Sequence, residues 1–248
     1  MYFLHFSFVP HWGLMLNEYG FNKSRPALSF IPPTTIIGAL SYSLNRLLGK
    51  PETYGEDSGA ERYREMFRSV NVAMPSLTPH YDLSRVLFMY RGGEARFDAV
   101  ATGKLYFISK DWSGVIETIV LVDEARAEEA LGNTWRSLLK ASCASIVRIG
   151  ARESIVTPLE IKGGVPEPIS DRVIKTRFSL PSFSLKRVLE GTYIAGEVID
   201  WRGARIGRYV GAPTTGYIVP SLPQGLEVEL KEGYQAYRCG EEVVVPWR

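Results

Sequence analysis

Residues 24–49 read SRPALSFIPPTTIIGALSYSLNRLLG, and no other stretch constrains the fold as tightly. A proline holds the residue before it in extended geometry and fits a helix best in its first turn. Ile36, Ile37, Leu40, Leu44, Leu47 and Leu48 then recur at helical spacing, and Gly49 is a stop signal. The pattern predicts a helix from near Pro33 to near Gly49, with Thr34 or Thr35 capping its first turn. Lys23 and Arg25 lie just upstream. They place cations beside a helix mouth whose N–H groups favour anions, so a phosphate-bearing partner is expected.

The chain has 248 residues and 45% hydrophobic content, enough for a large core and against disorder. Its net charge of +2 makes no case for a strongly basic protein, but the cations are 20 Arg against 9 Lys. Arginine forms bidentate contacts to phosphate and stacks on bases, although surface ion pairing or a bias toward arginine codons also explains such a count. Cys143 and Cys239 stand far apart with no CxxC spacing, which points to neither a zinc site nor a disulfide framework. The N-terminus MYFLHFSFVPHW lacks the basic start and long apolar core of a signal peptide. No run reaches the roughly 18 apolar residues of a spanning helix. The expectation is a soluble, cytoplasmic protein with no membrane partner.

Residues 2–9 alternate aromatic with small or polar side chains and read as a strand. After the helix, a polar break leads to a second, charged helix over 60–69. Strands follow at 84–90 and 95–109, joined by a hairpin turn at Arg91, Gly92, Gly93 and Glu94. Residues 114–122 are extended, 124–140 helical with a break at Gly132-Asn133, and a strand lies within 145–157. Without insertions the order is strand, helix, strand, strand, helix, strand, the ferredoxin-like pattern shared by RNA-recognition modules. From about Pro158 short β-rich runs alternate with turns, including 173–179, 192–200, 204–210, 216–219, 226–230 and 242–245. The fold class is therefore α+β, with a ferredoxin-like (RRM-type) domain over 1–158 and a smaller β-rich subdomain over 159–248.

No GxSxG, Walker A, GxGxxG or HExxH pattern occurs, and no paired acidic cluster is present to hold magnesium. Neither a metal, a cofactor nor a catalytic set is indicated. His5, His11 and His80 show no ligand spacing, and nothing in the sequence brings them beside a Tyr or Lys for acid–base work. Two other segments suit nucleic acid. RIGARESIVT at 148–157 places Arg148 and Arg152 around Gly150, which permits a tight turn and a two-sided clamp on a phosphate. Glu153 leaves open an ion pair within the segment instead. The hairpin carries Arg91 and Arg96 near its tip beside Tyr90 and Phe97, a mixture that suits base stacking with phosphate contact, or aromatics facing a core.

FIPPTTIIGALSYSLNRLLG, then TGKLYF and RIGARESIV, resembles the Cas-five family of CRISPR-associated proteins, within the RAMP superfamily and nearest its archaeal subtype I-A branch. The resemblance runs in order through most of residues 1–158. It implies a single-copy, non-catalytic subunit of Cascade, the crRNA-guided complex of antiviral defence. Such a subunit grips the 5′ handle of the crRNA, caps the filament of backbone subunits, touches the large subunit and meets target DNA indirectly. The helix mouth at Thr34 and Thr35, with Lys23 and Arg25, would lie near the handle, and Arg148 and Arg152 would line the same sheet face. The hairpin would be a thumb reaching over the guide–target duplex, its RNA contacts drawn from Arg91, Arg96 and Lys104. One branch of the family cuts precursor RNA with a Tyr, Lys and His set. Here Lys104 is followed by Leu105 and not by His, a departure from that branch. A metal-independent endoribonuclease processing precursor crRNA is the alternative.

Overall fold

The computed structural model describes residues 1–11, 13–16, 27–74, 114–151 and 153–247 in full, and the backbone pairing of 78–86, 89–91, 94–96 and 100–108. The first strand, β1 (Tyr2–Pro10), buries Tyr2, Leu4, Phe6 and Phe8 on one face and half-buries Phe3, His5 and Ser7 on the other, as the alternation predicts. It is followed by α1 (Pro33–Leu47), β2 (Phe67–Ala73), β3 (Ile116–Val122), α2 (Glu124–Leu131), α3 (Trp135–Ala144) and β4 (Val156–Gly164). The four strands form one antiparallel sheet in the order β4-β1-β3-β2.

The helices pack on the Leu4/Phe6/Phe8 face because each has an apolar stripe: Ile36, Ile37, Leu40 and Leu44 on α1, Trp135, Leu139 and Cys143 on α3. Ser142 Oγ donates to the Leu40 carbonyl at 3.0 Å and ties the two together. The α1 boundaries match the sequence reading, but its cap does not. Pro32 is the N-cap and Pro33 the first helical residue, with no side-chain cap. Both threonines therefore sit inside the first turn, where a hydroxyl no longer reaches the orphan donors; Thr35 N–H donates to the Pro32 carbonyl at 3.0 Å.

The predicted charged helix over 60–69 is a 3₁₀-helix, Gly59–Met66, that ends where β2 begins. Residues 67–69 are strand because they pair with β3, Phe67 opposite Val122 and Ser69 opposite Leu121. The hairpin lies between β2 and β3. Thr78–Val86 pairs with Val100–Ile108, and Met89–Arg91 with Glu94–Arg96, which places Arg91 opposite Glu94.

The remainder is β-rich. Val173–Thr176, Leu226–Leu230 and Leu185–Glu190 form one small sheet, Leu180–Pro181, Thr214–Pro220 and Tyr193–Ile199 a second, and Glu167–Ile169, Ala236–Cys239 and Glu242–Val244 a third. The strand expected over 204–210 is absent. Turns occupy 201–211, opened by Gly203 and Ala204 N–H donating to the Asp200 carbonyl. β4 runs through residue 158, and Val198, Trp201, Tyr217 and Trp247 share the main core with Phe6, Phe8 and Phe30.

These C-terminal segments also cover the second face of the sheet. Phe178, Cys239 and Val244 pack on Ala73, Ile119 and Leu121, and the buried Asn71 amide donates to the carbonyls of Ser179 at 2.7 Å and Val245 at 3.0 Å. Arg177 lies between Glu117 of β3 and Glu242, donating Nη1 and Nη2 to the first at 2.6 and 2.8 Å and Nε to the second at 2.9 and 3.0 Å. His5 Nε2 lies 3.0 Å from Glu117 Oε2, and its ring meets Phe178 edge-on.

Candidate nucleic-acid interface

The open sheet surface that RNA-recognition modules use is thus occupied here along β2 and β3. The basic residues gather elsewhere, at the mouth of α1. The segment after α3 folds back on itself: Ile149 N–H donates to the Ser154 carbonyl and Val156 N–H to that of Val147, each at 3.0 Å. The turn needs glycine at 150, where φ is +94° and a Cβ would stand 2.9 Å from the Met15 carbonyl oxygen. Ser154 Oγ accepts from Met15 N–H at 2.9 Å and locks this loop against residues 13–16.

That anchoring delivers Arg148 to a cleft of about 330 Å³. Leu16, Leu28 and Pro32 supply apolar lining, α1 contributes Thr34, Thr35 and Tyr42, and Tyr209 enters from the C-terminal turns. The Arg148 guanidinium carbon lies 4.8 Å from the centre of the Tyr42 ring, a cation–π contact. Among the described residues Arg148 makes no ion pair with any carboxylate, Glu153 included, and no acidic side chain lines the cleft. Burial pushes the Tyr209 phenol up, partly offset by hydrogen bonds from the Gly207 backbone and the Thr34 side chain, so it stays protonated at neutral pH.

Of the residues singled out in the sequence, Thr34, Thr35 and Arg148 meet in this cleft. Lys23, Arg25 and Arg152 lie outside the described residues. Arg91, Arg96 and Lys104 fall on the hairpin, opposite Glu94, Met89 and Asp82, and only their backbone pairing is described. Arg148 lines the cleft beside α1, together with Thr34 and Thr35 of the helix mouth. Tyr42 and Tyr209 were missed. Tyr42 had a signal, since 35, 38 and 42 share one helical stripe of small or polar residues. Tyr209 had none.

The histidines do not gather. His5 is tied to Glu117, and His11 Nε2 lies 2.5 Å from Thr157 Oγ1. Among the described residues no three His, Cys, Asp or Glu side chains are placed to hold a metal ion. None of the described helices is long and apolar enough to cross a membrane.

No protein-family model matches the chain. Two curated proteins of Saccharolobus solfataricus are each 28% identical to it, across 95% of both chains: the CRISPR system aCascade subunit Cas5 1 and the CRISPR-associated protein Cas5 3. The crystal structure of a CRISPR protein from Archaeoglobus fulgidus superposes with a TM-score of 0.65 over the full length of both chains at 20% identity, and so shares the fold. Across nearly its whole length the chain is thus similar to two Cas5 proteins and shares the fold of a third CRISPR protein, which supports reading it as a member of the Cas5 family of CRISPR-associated proteins.

Proposed function

We propose that this chain is a non-catalytic, cytoplasmic subunit of an archaeal type I-A Cascade that grips the 5′ handle of the crRNA. The observation that carries the reading is Arg148. It is an arginine without a carboxylate partner among the described residues, held over Tyr42 in a cleft free of acidic side chains. Such a guanidinium is preorganised for a phosphate. The relatives' names support membership of a Cascade. In that setting the chain caps the backbone-subunit filament, contacts the large subunit and meets target DNA only indirectly. The strand order β4-β1-β3-β2 supports reading residues 1–158 as a ferredoxin-like RAMP domain, with 159–248 as a β-rich subdomain docked on it. The hairpin inserted between β2 and β3 is the thumb, offering Arg91, Arg96 and Lys104 to the RNA. The test is binding to repeat-derived single-stranded RNA across salt concentrations. Affinity should fall with salt by a log–log slope of about −0.7 per phosphate contact, and Arg148→Ala should remove about one contact from that slope. A slope that stays flat, or is untouched by Arg148→Ala, contradicts the reading.

One observation favours the endoribonuclease alternative. The hairpin register places His80 opposite Tyr106 and Asp82 opposite Lys104. Tyr106 and Lys104 are two residues apart, so the register brings the positions of His80, Tyr106 and Lys104 together on the ribbon. Cleavage of repeat RNA in EDTA that His80→Ala abolishes would establish it.

A further inference from the structure

The cleft at the mouth of α1 is more particular than a basic patch. Two prolines at its lip remove backbone donors, which leaves the helix end itself poor in groups for an anion. What remains is one guanidinium with no carboxylate partner among the described residues, an apolar floor and two hydroxyl-bearing walls. The Thr34 side chain and the Tyr209 phenol hydrogen-bond to each other across the cleft, and Thr35 follows on the same turn. A volume of about 330 Å³ falls at the lower end of ligand clefts, which run from roughly 300 to 1,000 Å³.

A charge at the rim, an apolar interior and a few hydroxyls match the chemistry of a nucleoside 5′-phosphate. The phosphate needs a guanidinium fork, the base needs apolar walls, and the base edge needs hydrogen-bonding groups. We infer that this cleft is a pocket for a single everted nucleotide, with its phosphate on Arg148, its base against Leu16 and Leu28, and its edge read by the Thr34–Tyr209 pair. Tyr42 is a positioning residue, because its ring holds Arg148 at the rim. Tyr209 is the specificity-determining residue, and it comes from the C-terminal part. This pocket rests on the RNA-binding reading above and adds to it which residues select a base.

The experiment uses the full chain and a repeat-derived RNA carrying 2-aminopurine at one position at a time. One position should change its fluorescence on binding while its neighbours do not. Base substitution at that position should alter affinity about tenfold, and Tyr209→Phe should erase that preference without changing the salt slope. Tyr42→Ala should weaken binding by roughly 10- to 100-fold, and Tyr42→Phe should restore it. A uniform response along the strand, with Tyr209→Phe and Tyr42→Ala behaving as wild type while Arg148→Ala still weakens binding, overturns the pocket and leaves the RNA reading intact. RNA that does not bind at all sinks both. AMP, GMP, CMP and UMP form the second arm. A mononucleotide that saturates the cleft without displacing RNA makes a free nucleotide the occupant and overturns the strand-bound one.

Discussion

Replacing Arg177 with Met should separate the C-terminal part from the sheet more than any other single surface change. Arg177 joins Glu117 of β3 to Glu242 through five hydrogen bonds of 2.5 to 3.0 Å. The two carboxylates are only 16% and 20% exposed, so the variant strands two charges in a poorly solvated seam. Breaking a fully buried pair costs about 3–5 kcal/mol, and this partly buried one should cost about 2–4 kcal/mol. For a chain of this size that lowers the thermal midpoint by roughly 5–15 °C. The pH dependence supplies a second reading. Burial raises the Glu117 pKa, but hydrogen bonds from His5 and Arg177, with the Arg177 charge, outweigh it and hold the group below its ordinary value. A depressed carboxylate contributes stability above its unfolded pKa and loses it as pH falls through the folded one. The deficit of Arg177→Met should therefore be largest at neutral pH and shrink below about pH 4.5. Urea melts at several pH values measure both. A neutral-pH deficit under 1 kcal/mol, or one that grows on acidification, would refute the argument.

Gly150→Ala should cost about 1–3 kcal/mol, because the turn holds φ at +94° and the new methyl would press on the Met15 carbonyl; its RNA affinity should fall with the displaced Arg148, read by thermal melts and anisotropy together. Deleting residues 92–95 at the hairpin tip should leave the thermal midpoint of the isolated chain nearly unchanged yet weaken incorporation into a reconstituted complex; collapse of the isolated fold would show the hairpin to be part of the core. Repeat RNA incubated with the purified chain in EDTA should remain uncut, as followed on a denaturing gel.

The first strand, α1 and the Leu226–Leu230 strand were legible because each is patterned by its own neighbours, by strict alternation or helical spacing; the hairpin was legible as a pair of strands, but its first strand begins at Thr78 and not at 84, and the Gly92-Gly93 turn lies outside the described residues. β2 was not. It is buried on both faces: Val70 and Val72 alternate with Ser69 and Asn71, but those polar residues are buried too, Asn71 because its amide bonds backbone on the C-terminal part. The preceding RYREM run looks helical and hides the strand's start. The closed second face of the sheet was illegible for the same reason. Phe178, Arg177 and Val244 meet it from far along the chain, and nothing local to them announces the contact. At the candidate site, Thr34 and Thr35 were singled out as helix caps, a role that Pro32 takes, and Arg148 from the glycine turn; the structure brings all three to one cleft. Tyr209 lies in a stretch whose β-like composition is overridden by the Asp200-centred turns and by Gly207 at φ +90°.

On the proposed reading, this chain holds a guide RNA by its repeat-derived 5′ end. The direct measurement is to express the tagged chain with its neighbouring genes and a CRISPR array, purify it, and sequence the bound RNA. The expected result is RNAs of uniform 5′ sequence, derived from the repeat, whose recovery falls with Arg148→Ala. A heterogeneous ladder of cellular RNA, or no RNA at all, would contradict it.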